Sequence, residues 1–201
     1  ESGDAITIGT NNVAIGNSSL GAEVAGQYSV AVGPNALTTQ SFSTSSDVYN
    51  VAIGLNTGRV ITTGIQNTLI GALAGDALTD ADNNVAIGKE ALSADTLGST
   101  STAVGYQALR SNAHGQECTA VGYQALYTNN SGDDQCAFGV YSLKNSNGAD
   151  NTAFGYKSLM DVSGGSQNAA FGSLALENNS SGDYNSAIGY KAGDTLASGN
   201  N

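Results

Sequence analysis

The sequence predicts an all-β fold, a parallel β-solenoid (β-roll) of about eleven 17-residue coils. Three observations predict it. A Gly recurs at Gly16, Gly33, Gly54, Gly71, Gly88, Gly105, Gly122, Gly139, Gly155, Gly172 and Gly189, and eight of the ten steps are 17 residues. A short alternating apolar segment precedes each of these anchors. A polar stretch with a second Gly follows it.

The segment before the anchor reads as a strand. The residue one before is large and apolar in every unit: Ile15, Val32, Ile53, Ile70, Ile87, Val104, Val121, Phe138, Phe154, Phe171 and Ile188. Two before is Ala in ten of eleven units, with Leu69 the exception. Three before is mostly β-branched, as in Val13, Val30, Val51, Thr68, Val85, Thr102, Thr119 and Thr152. Four before is usually Asn or Ser, as in Asn12, Asn50, Asn84, Asn151 and Asn185. Propensity and alternation both favour a strand. Successive strand residues face opposite sides, so the large and the β-branched residues share one face and Ala lies on the other.

The large column is expected to form a continuous inner stack. Solvent has no reason to select Ala ten times, so something must approach the Ala face closely. Association of several rods along their Ala faces is the simpler account. Packing of Ala inside a monomeric coil is the alternative.

A second short strand is expected after the anchor. Ala or Ser dominates three residues on, as in Ala36, Ala91, Ala108, Ala125 and Ser142, and Leu dominates four on, as in Leu20, Leu37, Leu92, Leu109 and Leu126. The second Gly lies ten on in eight units, including Gly26, Gly64, Gly132 and Gly182. Two fixed glycines per unit predict two tight turns or positive-φ positions. The regular Gly and the short unit exclude a helical repeat. Stacked coils rise about 4.8 Å each, giving a rod on the order of 50 Å long. The chain is read as a single repeat domain, 1–201, with an irregular first coil at 1–16 that carries "ITIG" (Ile6–Gly9), and an insertion near 40–47.

The 201 residues carry 6 Lys plus Arg against 17 Asp plus Glu, a net charge of −11. That argues against nucleic acid or an anionic membrane as partner, because both demand a basic face. No apolar run has the length of a membrane span, so no membrane insertion is expected of this segment. Gly is high at 27, but a single Pro excludes collagen.

Little in the sequence points to chemistry. His114 is the only His and sits in a polar turn, "NAHGQE". No Ser/His/Asp or Cys/His set lies at matching columns. Asp80, Asp82, Asp133, Asp134, Asp150, Asp161 and Asp183 fall in the outer turns without a regular pattern. Solvation is the expected role for them, with Ca²⁺ ligation or a glycosidase pair as alternatives. Cys118 lies four before its anchor and Cys136 three before, so the two point to opposite faces as free thiols, with Cys136 a small apolar filler. Tyr106, Tyr123, Tyr156 and Tyr190 directly follow anchors, and they read as a stacked ladder or as a ligand-binding stripe. No catalytic residue, cofactor or metal is expected.

Some units carry a resemblance. "NNVAIGNSSLGA" (Asn11–Ala22), "YNVAIGLNTG" (Tyr49–Gly58) and "NNVAIGKEALSA" (Asn83–Ala94) resemble the head repeats of YadA-like trimeric autotransporter adhesins. "NTAFGYKSL" (Asn151–Leu159) is similar to related repeats of phage tail fibres. The resemblance implies a left-handed roll, an intertwined or side-by-side homotrimer, and a role in attachment. It places the protein outside the cell, on a cell surface or a virion, with itself and a host-surface glycan or protein as partners. On this reading the chain is a slice of a longer, non-enzymatic fibre. A polysaccharide-degrading tailspike-type rod and a self-assembling extracellular filament are the alternatives.

Overall fold

The computed structural model describes residues 1–96, 98–112, 115–196 and 198–199. It is an all-β parallel solenoid, with no helix among the described residues. Each three-residue strand pairs with its equivalent in the next coil, from Val13–Ile15 to Ser186–Ile188, in one parallel sheet of eleven strands. The register follows the sequence period: Ala103 pairs with Ala120, and Ala120 with Ala137. The 21-residue step keeps this register, since Val30 pairs with Val51. Its extra residues bulge out around Ser46–Asp47, which pairs with Gly26–Gln27.

The orientation of the sheet reverses the expected one. The Ala column is the inner one: Ala31, Ala52, Ala86, Ala103, Ala120, Ala137, Ala153 and Ala170 are fully buried. The large column faces outward, with Ile53, Ile87, Phe154 and Phe171 exposed. Ala is therefore packed inside its own coil, and no neighbouring rod meets it. The reason is the thinness of the coil. Leu20, Leu37, Leu92, Leu109, Leu126, Leu143, Leu159 and Leu176 fill the interior from the opposite wall and are fully buried. Burying each contributes about 1.5–3 kcal/mol. With Leu on one wall, only Ala fits on the other.

The segment after the anchor is a turn and not the expected second strand. Its Leu sits in the left-handed region, with φ 50° at Leu126 and 51° at Leu109. A second, two-residue strand appears further on and only in some coils, as at Ser111–Asn112, Thr128–Asn129, Asn145–Ser146 and Asp161–Val162. Two other seats per coil are left-handed as well. One is two residues after the anchor, as at Gln124 (φ 49°), and one five before it, as at Glu117 (φ 56°). An L-residue in this region costs roughly 1–2 kcal/mol. Only the ladder bonds to both neighbouring coils hold such a backbone in place.

The two glycine columns act differently. The anchor is a positive-φ site: Gly122 has φ 135°, and a Cβ there would lie 2.5 Å from the carbonyl oxygen of Gly139. The second Gly is not. Its reason is close approach, since a Cβ on Gly64 would lie 2.5 Å from the carbonyl oxygen of Ala81. Gly9 belongs to this second column, because the carbonyl of Gly26 lies equally close to it. "ITIG" therefore adds no rung to the main sheet. The amides of Thr7, Ile8 and Gly9 all donate to Val24 O instead, at 3.1–3.2 Å.

Two buried polar columns complete the interior. Four before the anchor, Asn50, Asn67 and Asn84 form a ladder. Their Nδ2 groups donate to the carbonyls of Gly64 (2.7 Å), Ala81 (2.8 Å) and Gly98 (2.9 Å). The Oδ1 atoms of Asn50 and Asn67 accept the backbone N–H of the next rung, at 2.9 Å from Asn67 and 3.0 Å from Asn84. Seven after the anchor, buried Glu23, Asp95, Asn129 and Asn179 fold back on the second-glycine turn. The amides of Gly26 and Gly98 donate to Glu23 Oε1 and Asp95 Oδ1 at 2.7 Å. Buried polar groups cost little when each bond is made.

Candidate functional site

The outward face of the main sheet is the most unusual surface of the molecule. A strand places residues one and three before the anchor on one side. Both are apolar or β-branched in most coils, so their columns run the length of the rod. Ile53 is 39% exposed and Phe171 41%, although each has neighbours above and below. Phe138, Phe154 and Phe171 stack face to face, with centroids 4.7 and 5.1 Å apart and planes within 3° and 6° of parallel. A monomeric soluble protein rarely exposes a long contiguous apolar patch, and such a patch marks an interaction site.

The turn carboxylates serve the fold. Asp80 Oδ1 accepts bonds from the hydroxyls of Thr62 (2.7 Å) and Thr63 (2.9 Å), which hold its carboxyl below the usual range. Asp82, Asp133 and Asp183 each accept a backbone N–H from the coil before, those of Ile65 (2.7 Å), Gln116 (2.9 Å) and Ser166 (2.8 Å). Asp161 accepts from Asn145 Nδ2 at 2.7 Å. Asp134 and Asp150 occupy left-handed seats, with φ 55° and 57°, which Asp tolerates better than most residues. Asp80, Asp82, Asp133, Asp161 and Asp183 thus clamp consecutive coils instead of converging. Among the described residues no group of three or more His, Cys, Asp or Glu could hold a metal ion. His114 lies outside the described residues.

Both cysteines are free and lie on opposite sides of the wall. Cys118 is buried in the Asn column, and its thiol donates to Gly132 O at 3.3 Å, as an Asn amide would. Burial pushes it up to about 12. Cys136 lies in the outward β-branched column between Thr119 and Thr152, half-buried, so it fills no inner stack. Burial also raises its thiol.

Of the four tyrosines directly after anchors, three join a partial ladder, and Tyr190 stays outside it, exposed, with Lys191 Nζ 5.7 Å from its ring centre. Tyr106 and Tyr123 stack at 5.4 Å, and Tyr141 meets Tyr123 edge-on at 5.3 Å. Tyr141 is two residues after its anchor and lies outside the expected column. Tyr156 packs at 6.4 Å from it. Tyr28 and Tyr49 make a separate stack at 5.1 Å, five residues before their anchors. The column seven after the anchor also escapes a sequence reading, because its residue type varies from Glu to Asn to Ile.

Comparison of the chain with family models, with curated proteins and with solved structures finds no match.

Proposed function

We propose that the chain is a rod segment of a homotrimeric, non-enzymatic surface fibre, whose three copies meet through the outward Ile/Val/Phe face. The observation that carries this reading is the outward apolar column from Ile15 to Ile188, half-buried at five rungs and exposed at Ile15, Ile53, Ile87, Phe154, Phe171 and Ile188. Its occupant is a second and third copy of the same chain. Another copy has the same rise per coil, so its apolar rungs match this column in register along the rod. The count of three and the placement on a cell surface or virion rest on the resemblance to trimeric adhesin heads and tail-fibre repeats. The turn acids are engaged in clamping coils, which favours a structural role over a polysaccharide-degrading spike.

Labelling of Cys136 with a bulky maleimide tests the face. Cys136 shares the outward side with Val121 and Phe138, so assembly should shield it. Slow labelling of the native protein is expected, becoming fast in Val121→Asp, where a buried charge would split the copies. Buried Cys118 supplies the constant background. Equally fast labelling of both proteins would count against the reading.

A further inference from the structure

Every basic side chain of this acidic protein lies on one edge of the rod. The six are Arg59, Lys89, Arg110, Lys144, Lys157 and Lys191. Each sits one, two or five residues after an anchor glycine, on the turn that follows the main strand. The acids of the outer turns, such as Asp82, Asp133 and Asp183, lie five to eight residues before the anchors. The cations are thus confined to one edge, whereas the acids occupy both, since Asp76, Glu90, Glu177 and Asp194 lie two or five residues after their anchors.

The basic edge is also the one that carries the tyrosines, and the two sets are interleaved. Lys89 lies 5.8 Å from the centre of the Tyr106 ring, Lys144 5.0 Å from Tyr141, and Lys157 5.5 Å from Tyr156. The acids on this edge sit beneath the cations. In the Lys89–Glu90 pair (3.2 Å) the side chains are 55% and 17% exposed, and in Lys157–Glu177 (3.5 Å) 29% and 19%. Glu90 also accepts from Gln107 Nε2 at 2.7 Å, and Gln107 in turn accepts from Gln124 Nε2 at 2.7 Å. Ring faces and carboxylates therefore hold the cations in place while leaving them outward. Fixing a long side chain in advance lowers the entropic cost of binding.

We propose that the edge running from Lys89 to Lys157, through Tyr106, Tyr123, Tyr141 and Tyr156, binds a linear anionic polysaccharide lying along the rod. Each coil from Lys89 to Lys157 contributes at least one donor, at a rise of about 4.8 Å per coil. An extended chain of sugars offers acidic and hydroxyl groups on a comparable repeat. The phenol hydroxyls supply neutral hydrogen bonds and the ammonium groups supply charge. Burial and the neighbouring Tyr141 hydroxyl raise the Tyr123 phenol above its ordinary value, which keeps it a donor. Single-stranded nucleic acid fits less well. It needs free ring faces on which bases stack, and here Tyr106 and Tyr123 occupy each other's faces. The inference deepens the attachment part of the fibre reading by naming the ligand class, and it does not depend on the number of copies.

The test is titration of the assembled protein with alginate (carboxylated), dextran sulfate (sulfated) and dextran (neutral), at low and high salt. Binding to at least one polyanion is expected, weakened by salt, with none to dextran. The charged polymer that binds identifies the acidic group. Joint replacement Lys89→Gln, Lys144→Gln and Lys157→Gln should weaken binding about tenfold, because three partly exposed cations are neutralised together. Asp133→Asn on the acidic edge should not weaken it. Absence of binding to both polyanions, equal binding to dextran, or insensitivity to the triple change overturns the proposal. So does rod-to-rod association without polysaccharide that the triple change abolishes, since the edge would then serve a second copy. Sedimentation of each variant reports assembly separately, so failure here is distinguishable from failure of the apolar interface.

Discussion

Leu69 occupies the space that Gly75 leaves empty. A Cβ on Gly75 would lie 2.9 Å from Leu69 Cδ2, and one on Gly58 2.9 Å from Leu69 Cδ1. Leu69 is the one position where the inner Ala column carries a larger residue, and its own coil and the one before it have Gly75 and Gly58 four after the anchor, where eight of the eleven units have Leu. Ile61 and Leu78, seven after their anchors and fully buried, fill the rest. Most other coils hold a polar residue there. The interior keeps a constant volume while moving its leucine between three positions. Leu69→Ala should cost about 2–5 kcal/mol, as a cavity in a packed core does. Gly75→Leu alone should also destabilise, because Leu78 Cδ1 lies 2.8 Å from the added Cβ. Combined, the two should cost at least about 1 kcal/mol less than their sum, measured by denaturant unfolding in a double-mutant cycle.

The Asn ladder predicts a second cost. Asn84 bonds Gly98 O and accepts the N–H of Ser101, both inside the coil. Asn84→Ala leaves the two backbone groups buried and unpaired. A loss of about 2 kcal/mol is expected in the same unfolding measurement.

Backbone conformation predicts a gain. Glu117 is exposed and held at φ 56°, where Asn11 and Asn83 occupy the equivalent seats of other coils. Glu117→Asn should stabilise by about 0.5 kcal/mol, since Asn adopts this region at lower cost. The opposite holds at the anchor. Gly122→Ala should cost about 3 kcal/mol or abolish folding, from φ 135° and from the clash with Gly139.

Asp76 predicts a pH dependence. Burial raises its carboxyl above 3.8, with Arg59 opposing in part, and its Oδ1 is buried without a partner. A raised folded-state value means that the charged form destabilises the fold. That cost is fully present above the folded value and vanishes below the unfolded one. Asp76→Asn should therefore raise the melting temperature at pH 7. The gain should shrink as the pH falls through the raised value, and be absent below pH 3.8, the ordinary carboxyl value. An equal gain at both extremes would contradict this origin.

The period, the parallel stacking, the strand position and the opposite faces of Cys118 and Cys136 are all legible in the sequence, because each depends only on spacing and alternation. Which face is inside is not. Both faces are apolar, and side-chain size favours the wrong one. A different signal is present. The column one before the anchor varies freely from Val104 to Phe154, whereas the Ala column departs once, at Leu69, with Gly58 and Gly75 adjusting to it. An interior of fixed width tolerates only the second behaviour. The left-handed Leu seats are hidden because Leu rarely adopts them. The basic edge is hidden because its six members occupy three different positions of the repeat.

Sedimentation equilibrium of the purified chain, with and without Ile87→Asp, tests most directly whether the outward apolar face joins the copies. The account predicts a mass three times that of the 20.1 kDa chain, reduced to the single-chain mass by the substitution. A single-chain mass for the unaltered protein, or a threefold mass that Ile87→Asp leaves unchanged, would contradict it.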